Sequence, residues 1–131
     1  MPSLINLWTI INTTIAGISD IKEAAKTAPY PTVLISWNNE LIKVIGEKEF
    51  HFKFKSKKCI DLEKATGKQF LELLQDVSMN NIARLLKASC VSPENIDEYE
   101  LLDQLMENSS LERIMLDIIY ETATISGIIS R

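Results

Sequence analysis

Side chains that carry reaction chemistry are scarce in this sequence. Its 131 residues include one histidine, His51, and two cysteines, Cys59 and Cys90. A zinc site requires three or four ligands at recurring spacing, and a hydrolytic triad requires a histidine beside a nucleophile. His51 lies between two phenylalanines on the expected solvent face of a strand, which favours a surface role. The pair Lys57-Lys58 could lower the pKa of the Cys59 thiol, but helix packing is the more common outcome for such a residue.

Glycine is also rare, and its scarcity argues against nucleotide binding. The four glycines are too widely spaced to form the glycine-rich loop that cradles phosphate groups. Thr66-Gly67-Lys68 is similar to the end of such a loop, but it lacks the upstream glycine and the Ser or Thr after the lysine. We therefore predict no catalytic residues, no metal, no cofactor and no enzymatic activity.

Long apolar runs and a basic leader are absent as well. The N-terminal apolar stretch is interrupted by Asn6, Asn12, Thr13 and Thr14. A membrane-spanning helix needs about 20 mainly apolar residues, and a signal peptide begins with a basic region. The two cysteines fit a reducing compartment better than a secreted disulfide scaffold. These features predict a protein of the cytoplasm, with no membrane partner.

The residues that are present have the composition of an ordinary globular domain. Hydrophobic residues make up 46% of the chain and charged residues 24%, and these values exclude global disorder. A chain of this length can bury a core without disulfides or metals, so residues 1–131 are predicted to form one domain.

The net charge of −4 conceals an uneven distribution. Residues 41–68 contain eight lysines against four acids, whereas residues 69–131 contain four basic residues against eleven acids. A basic middle and an acidic C-terminal half can attract each other within one chain or between copies. This pattern leaves a homo-oligomer open.

The hydrophobic pattern predicts an α+β fold. Apolar segments at 32–37 and 41–45, followed by the alternating residues of 50–54, predict a three-stranded antiparallel sheet with short turns. Phe50, Phe52 and Phe54 should face the core, while His51, Lys53 and Lys55 should face solvent. Ahead of the sheet, the spacing predicts helices over 3–16 and 19–26.

From residue 56 onward the pattern is helical, so five or six helices should pack on the sheet and the C-terminal half should be all-helical. Ser92-Pro93-Glu94 combines a cap, a proline at the first helical position and an acid in the first turn, and predicts a helix start. A capping box from Ser109 to Glu112 predicts the start of the last helix. Ile60, Leu71 and Tyr99 are among the residues expected to face inward.

Several motifs follow one another in a definite order. A hairpin ending in Phe50-His51-Phe52-Lys53-Phe54-Lys55 precedes Leu62-Glu63-Lys64-Ala65-Thr66-Gly67-Lys68 and Glu72-Leu73-Leu74. A helix containing Asn81-Ile82-Ala83-Arg84-Leu85-Leu86 and the acidic helix after Ser92-Pro93-Glu94 come next. This order, over residues of about 41–125, resembles the tail assembly chaperones of long-tailed bacteriophages and prophages. Residues 1–40 are an atypical extension relative to that family.

The resemblance implies a non-enzymatic role. Such chaperones bind the hydrophobic, helix-prone tape measure protein, keep it soluble, help to recruit tail tube subunits and are absent from the finished virion. Many are also made in a longer form by translational frameshifting. The family has no catalytic residues to transfer. Amphipathicity in the acidic and apolar C-terminal half therefore selects the predicted partner-binding residues: Leu101, Leu102, Leu105, Met106, Ile114, Ile118 and Ile119.

A virion structural protein is the first alternative. The helix expected in residues 1–40, followed by Pro31-Thr32-Val33-Leu34-Ile35, is similar to the opening of small phage tail proteins such as terminators. A chain of this kind would remain in the particle, in contrast to a chaperone.

A small DNA-binding regulator is the second alternative. The segments that begin at Asn81 and at Ser92 have the spacing of a helix-turn-helix, but the second one carries acids that would repel phosphates. The lysines near Phe52 and Phe54 lie on the opposite face from the aromatic rings, so base stacking is not favoured. We expect no nucleic-acid partner. The acidic stripe is most simply a solvated helical face, and its functional interpretation is a docking surface for a basic partner.

Overall fold

A computed structural model describes residues 39–130 of the chain and, as backbone, residues 32–35. The helices predicted over 3–16 and 19–26 lie outside these residues. Four antiparallel strands form one sheet in the order β1 (Thr32–Ile35), β2 (Leu41–Ile45), β3 (Lys48–Phe52) and β4 (Cys90–Ser92). The first three of these strands confirm the predicted three-stranded meander.

A two-residue turn sets the register between β2 and β3. Ile45 lies opposite Lys48, and Leu41 lies opposite Phe52. Gly46 in the turn has a φ of 58°, a left-handed conformation that two-residue hairpins need and that glycine adopts without steric cost.

The fourth strand is an addition to the predicted sheet. Phe52 pairs with Cys90 and His51 with Ser92, with an irregular register between the two pairs. The backbone N–H of Lys53 donates to the carbonyl oxygen of Ser89 at 2.8 Å. These bonds draw the end of the preceding helix into the sheet.

This pairing overturns the predicted helix start at Ser92-Pro93-Glu94. Ser92 ends β4, and residues 93–97 after it form a bend and a turn rather than a helix. The acidic helix begins at Glu98, and the carboxylate of Asp97 accepts hydrogen bonds from the N–H groups of Tyr99 and Glu100 at 3.0 and 3.3 Å.

Five helical units pack on the sheet within residues 39–130, in agreement with the predicted α+β architecture. Four of them are α1 (Ser56–Thr66), α2 (Phe70–Leu73), α3 (Met79–Ser89) and α4 (Glu98–Met106). The fifth is a C-terminal helix that runs through α5 (Leu111–Ile114), a π-helical segment (Met115–Tyr120) and α6 (Glu121–Ile125). No helix of the described residues is long and apolar enough to cross a membrane.

The cap of the C-terminal helix lies one residue beyond the predicted one. The hydroxyl of Ser110, rather than that of Ser109, accepts a hydrogen bond from the N–H of Arg113 at 3.2 Å. Consecutive serines make the two positions equivalent in sequence, and the backbone conformation selects between them.

Most buried apolar side chains of the described residues form one cluster between the sheet and the helices, whereas Ile42 and Val44 are buried on the other face of the sheet. Phe50, Phe52 and Phe54 all belong to it, as predicted, and the ring of Phe54 meets that of Phe70 edge to face with centroids 5.1 Å apart. Edge-to-face pairs of this kind add to the energy of area burial.

Three residues expected to face inward are instead exposed. Ile60, Leu71 and Tyr99 expose 48%, 53% and 65% of their surface. Each lies on a short helix whose inward stripe is filled by neighbours, because successive helical residues point in directions about 100° apart. In α4, for example, the buried positions are Leu101, Leu102 and Leu105.

One charged side chain lies on the helix-facing side of the sheet. Lys43 is paired across the sheet with Phe50 and is 5% exposed. Burial lowers the pKa of its ammonium group, and the nearby carboxylate of Asp117, in the π-helical segment, opposes that shift.

Candidate protein-binding surface

Most of the residues predicted to contact a partner hold the protein's own core together. Leu101, Leu102, Leu105, Ile114, Ile118 and Ile119 expose between 0% and 6% of their surface. The amphipathic stripe that selects them is the same stripe that fixes the helices to the sheet. In this conformation those six side chains are not available as surface contacts. Met106, at 37% exposure, is the one member that can touch a partner, and its contact stays a prediction.

The single histidine is engaged with carboxylates. Its Nδ1 lies 3.0 Å from Oε1 of Glu40 and its Nε2 lies 3.1 Å from Oε1 of Glu49. His51 is on the face of β3 opposite Phe50 and Phe52, as predicted. Among the described residues, no group of three or more His, Cys, Asp or Glu side chains could hold a metal ion. The contacts of His51 tie β3 to the segment before β2.

The idea that neighbouring lysines activate Cys59 is wrong for this structure. Burial, reinforced by the carboxylate of Glu63, raises the pKa of the Cys59 thiol to about 11. Burial also raises the pKa of Cys90, although the charge of Lys87 opposes the shift. Since the thiolate is the reactive form, neither cysteine is activated as a nucleophile.

The tripeptide similar to a phosphate-binding loop ends a helix. Gly67 has a φ of 70°, and its N–H donates to the carbonyl oxygen of Glu63 at 2.8 Å. The hydroxyl of Thr66 donates to the carbonyl oxygen of Leu62 and accepts from the N–H of Lys68. These bonds satisfy the end of α1, which is a common function of a left-handed glycine.

Three large apolar side chains are exposed in the connection from α2 to α3. Leu71, Val77 and Met79 expose 53%, 67% and 55% of their surface. We call residues 71–79 the apolar connection. It includes the end of α2, the loop and the first residue of α3. Large apolar side chains exposed at this density are candidates for protein contact.

Hydrogen bonds from the side chains of Asn81 and Tyr120 hold the backbone of the apolar connection in place. The buried amide of Asn81 donates to the carbonyl oxygens of Leu73 and Asp76 at 2.6 and 2.7 Å. The phenolic hydroxyl of Tyr120 donates to the carbonyl oxygen of Leu74 at 2.9 Å. A buried side chain that makes such hydrogen bonds holds the backbone it contacts in one conformation. The exposed side chains are therefore presented on a well-anchored segment.

A groove separates the β2–β3 hairpin from α4. Its larger part, about 590 Å³, lies between β3, the loop from β4 to α4, and α4 itself. A second part, about 370 Å³, continues over the hairpin turn to the end of α4. Lys48, Phe50 and Gln104 line both parts, so the two form one continuous groove. We call it the hairpin groove.

The hairpin groove combines an apolar base with acidic walls. The half-buried side chains of Ile45 and Ile96 contribute apolar surface. Glu94, Glu100 and Glu107 lie along the sides. Lys48 Nζ donates to Oε1 of Gln104 at 3.3 Å, and Nε2 of Gln104 donates to Oε1 of Glu100 at 3.1 Å. One lysine thus faces several carboxylates across this surface.

The sequence contains signals for both surfaces. Val77 and Met79 flank Ser78, the N-cap of α3. At the start of a helix, an apolar side chain does not have to face the core. Glu100, Gln104 and Glu107 follow the i, i+4, i+7 spacing of one helical face. What the sequence does not reveal is that the hairpin lies opposite that face.

Comparison with known proteins adds no relative. No family model matches the chain, and neither does any curated protein or solved structure.

Proposed function

We propose that this protein is a non-enzymatic phage tail assembly chaperone, which binds the tape measure protein and helps to recruit tail tube subunits. The observation that carries this proposal is the apolar connection, where Leu71, Val77 and Met79 are exposed on a backbone anchored by Asn81. A chaperone of a hydrophobic, helix-prone client needs apolar surface to cover that client. The motif order over residues 41–125 gives the same class of function by resemblance.

The net charge of the chain supports such a role. Apolar contact alone would make the chaperone itself prone to aggregation. A net charge of −4, concentrated after residue 69, keeps the chaperone and its complexes apart by mutual repulsion. Met106, exposed at the end of α4, is a further candidate contact.

The DNA-binding alternative loses support. In a helix-turn-helix the two helices are joined by a turn of about three or four residues. Here β4 and a further loop separate α3, which ends at Ser89, from α4, which begins at Glu98. The helix that would read DNA carries Glu98, Glu100 and Asp103, and acids facing phosphates oppose binding.

Co-expression with the tape measure protein tests the proposal. The client is the long, helix-rich reading frame expected just downstream of the gene. We expect the chain to co-purify with it and to raise its soluble fraction. The variant Leu71→Ser/Val77→Ser/Met79→Ser should lose both effects, whereas the control Ile60→Ser/Leu116→Ser, which changes other exposed apolar residues, should retain them.

Three outcomes distinguish the readings. If the wild-type chain neither co-purifies with the client nor raises its solubility, the chaperone proposal is wrong. If wild type and the triple variant act equally well, the role stands but the apolar connection is not the contact. Mass spectrometry of purified virions separates the remaining alternative, since a stoichiometric copy number in the particle would identify a structural tail protein.

A further inference from the structure

We propose that the hairpin groove binds a basic peptide segment, one in which arginine or lysine side chains alternate with apolar ones. The hairpin groove is separate from the apolar connection, and this role does not depend on the chaperone function. The shape of the groove, the chemistry of its base and the sign of the charge along its walls all favour such an occupant.

Shape points to an extended occupant. The two parts of the groove adjoin and run from the β4–α4 loop at Pro93 past Phe50 to Asn108 at the end of α4. Their volumes of about 590 and about 370 Å³ accommodate several side chains in a row. A compact small molecule would fill one part, whereas a chain segment can occupy both.

Charge fixes the sign of the occupant. Glu94, Glu100 and Glu107 are exposed along the walls, and residues 88–112 contain no lysine or arginine. Among the described residues, Lys48 is the one basic residue that lines either part of the groove, and the ammonium of Lys87 is bound beside it to the carbonyl oxygens of Glu94 and Ile96. A cationic segment is therefore attracted along the full length of α4, and an acidic segment is repelled.

The base of the groove adds an apolar requirement. Ile45 and Ile96, one in each part of the groove, are half-buried and retain exposed apolar surface, whereas Phe50, which lines both parts, is 2% exposed. A side chain such as leucine placed between two cationic ones would cover this apolar surface while the cations reach the glutamates. Apolar cores with polar rims are the usual arrangement of protein-binding sites.

Lys48 gives the proposal an unusual consequence. Its ammonium bonds to Gln104, which in turn bonds to Glu100, so it already occupies part of the position that a partner's cation would take. Removing that charge should favour the partner. Lys48→Gln is therefore expected to tighten binding a few-fold. Glu94→Gln/Glu100→Gln/Glu107→Gln should weaken binding about tenfold, because it removes three surface charge pairs whose modest free energies add up.

A fluorescein-labelled peptide with arginines and leucines in a serine background is the probe. Fluorescence anisotropy on the full chain measures affinity, and amide chemical shifts locate the site. We expect binding that weakens as salt rises, with shift changes at Gly46, Asn95, Gln104 and Asn108. Counterparts with glutamate in place of arginine, or serine in place of leucine, should bind much more weakly.

A matched triple variant controls for net charge. Glu98→Gln/Asp103→Asn/Glu112→Gln removes as many acids from the same part of the chain, at positions that do not line the groove. It should retain most of the affinity. The proposal is overturned if the control weakens binding as much as the groove variant, or if the acidic peptide binds equally. Absence of binding, or shift changes away from the groove, would also overturn it. If groove signals shift with protein concentration alone, a second copy is the occupant and the proposal is again wrong.

Discussion

Replacing Lys43 by methionine is expected to stabilise the protein against unfolding. The ammonium group of Lys43 lies on the helix-facing side of the sheet, 5% exposed, and its burial lowers its pKa. Methionine is of similar length and fills the same space without a charge to desolvate. The substitution therefore removes a cost and retains the apolar packing of the side chain.

The size of the effect depends on how far Asp117 offsets the desolvation. The carboxylate of Asp117 attracts Lys43, but its side chain is 31% exposed and lies 3.8 Å from Nη1 of Arg113, so solvent and Arg113 both weaken that attraction. Replacement of a whole buried ion pair by apolar groups is commonly neutral to stabilising by about 1–4 kcal/mol. Here only the lysine is replaced, and Asp117 is left with solvent and Arg113 as partners rather than buried alone. We expect a gain of about 1–3 kcal/mol at neutral pH, which corresponds to a melting temperature higher by roughly 3–10 °C.

The pH dependence gives the sharper test. Between the lowered folded-state pKa and the unfolded value of 10.5, the unfolded chain binds more protons at Lys43 than the folded chain. In that interval the stability of the wild-type chain rises with pH. The advantage of Lys43→Met should therefore be largest at neutral pH and should shrink as the pH rises toward 10.5.

Urea denaturation followed by circular dichroism at several pH values measures both effects. Lys58→Met, at an exposed lysine of α1, is the matched control and should change stability by less than about 0.5 kcal/mol. Asp117→Asn should destabilise the wild-type chain more than it destabilises the Lys43→Met variant. A destabilising Lys43→Met, or an advantage that stays constant up to pH 10.5, would refute the argument that a desolvated ammonium costs stability here.

Three further changes test the local structure. Asp97→Ala should lower the free energy of unfolding by about 1 kcal/mol, because it removes a helix cap, while Ser92→Ala should lower it far less. Equal losses, measured by urea denaturation, would contradict a start of α4 at Glu98. Asn81→Ala removes the amide that donates to the carbonyl oxygens of Leu73 and Asp76, although that of Leu73 still accepts from the N–H of Asp76. The change should cost about 1–3 kcal/mol, and amide exchange near residues 73–76 should accelerate; unchanged exchange would show that Asn81 does not anchor the connection. In a Cys90→Ser background, iodoacetamide should modify Cys59 at a rate that keeps rising with pH to about 11, because the rate follows the thiolate fraction. A plateau near pH 9 would contradict the raised pKa of the Cys59 thiol.

The hairpin and the aromatic strand were predictable because their signals are local. Alternation places Phe50, Phe52 and Phe54 on one face whatever the helices do, and Gly46 and Gly67 occupy turns that require a left-handed backbone. Ser78 caps α3, and a cap of this kind can be recognised in a sequence because it depends on residues within one turn.

Sequence patterns are least decisive where distant segments compete for the same residues. Ser92-Pro93-Glu94 is a valid helix start signal in isolation, but Ser92 pairs with β3 as part of a strand. Leu101, Leu105, Ile114 and their neighbours have an amphipathic pattern that fits either a core or a partner surface. Only the packing of the helices shows that the core takes them.

The sequence by itself determined the α+β class, the direction of each phenylalanine in β3 and the separation of basic from acidic residues, because each depends on spacing or composition. Tertiary structure alone decided which surfaces remain for a partner. Burial of one apolar stripe leaves another set, Leu71, Val77 and Met79, exposed. The hairpin groove likewise exists because β4 and α4 bring residues 92–108 against the hairpin at 45–50. A contact between segments so far apart in the chain has no periodic signal in the sequence.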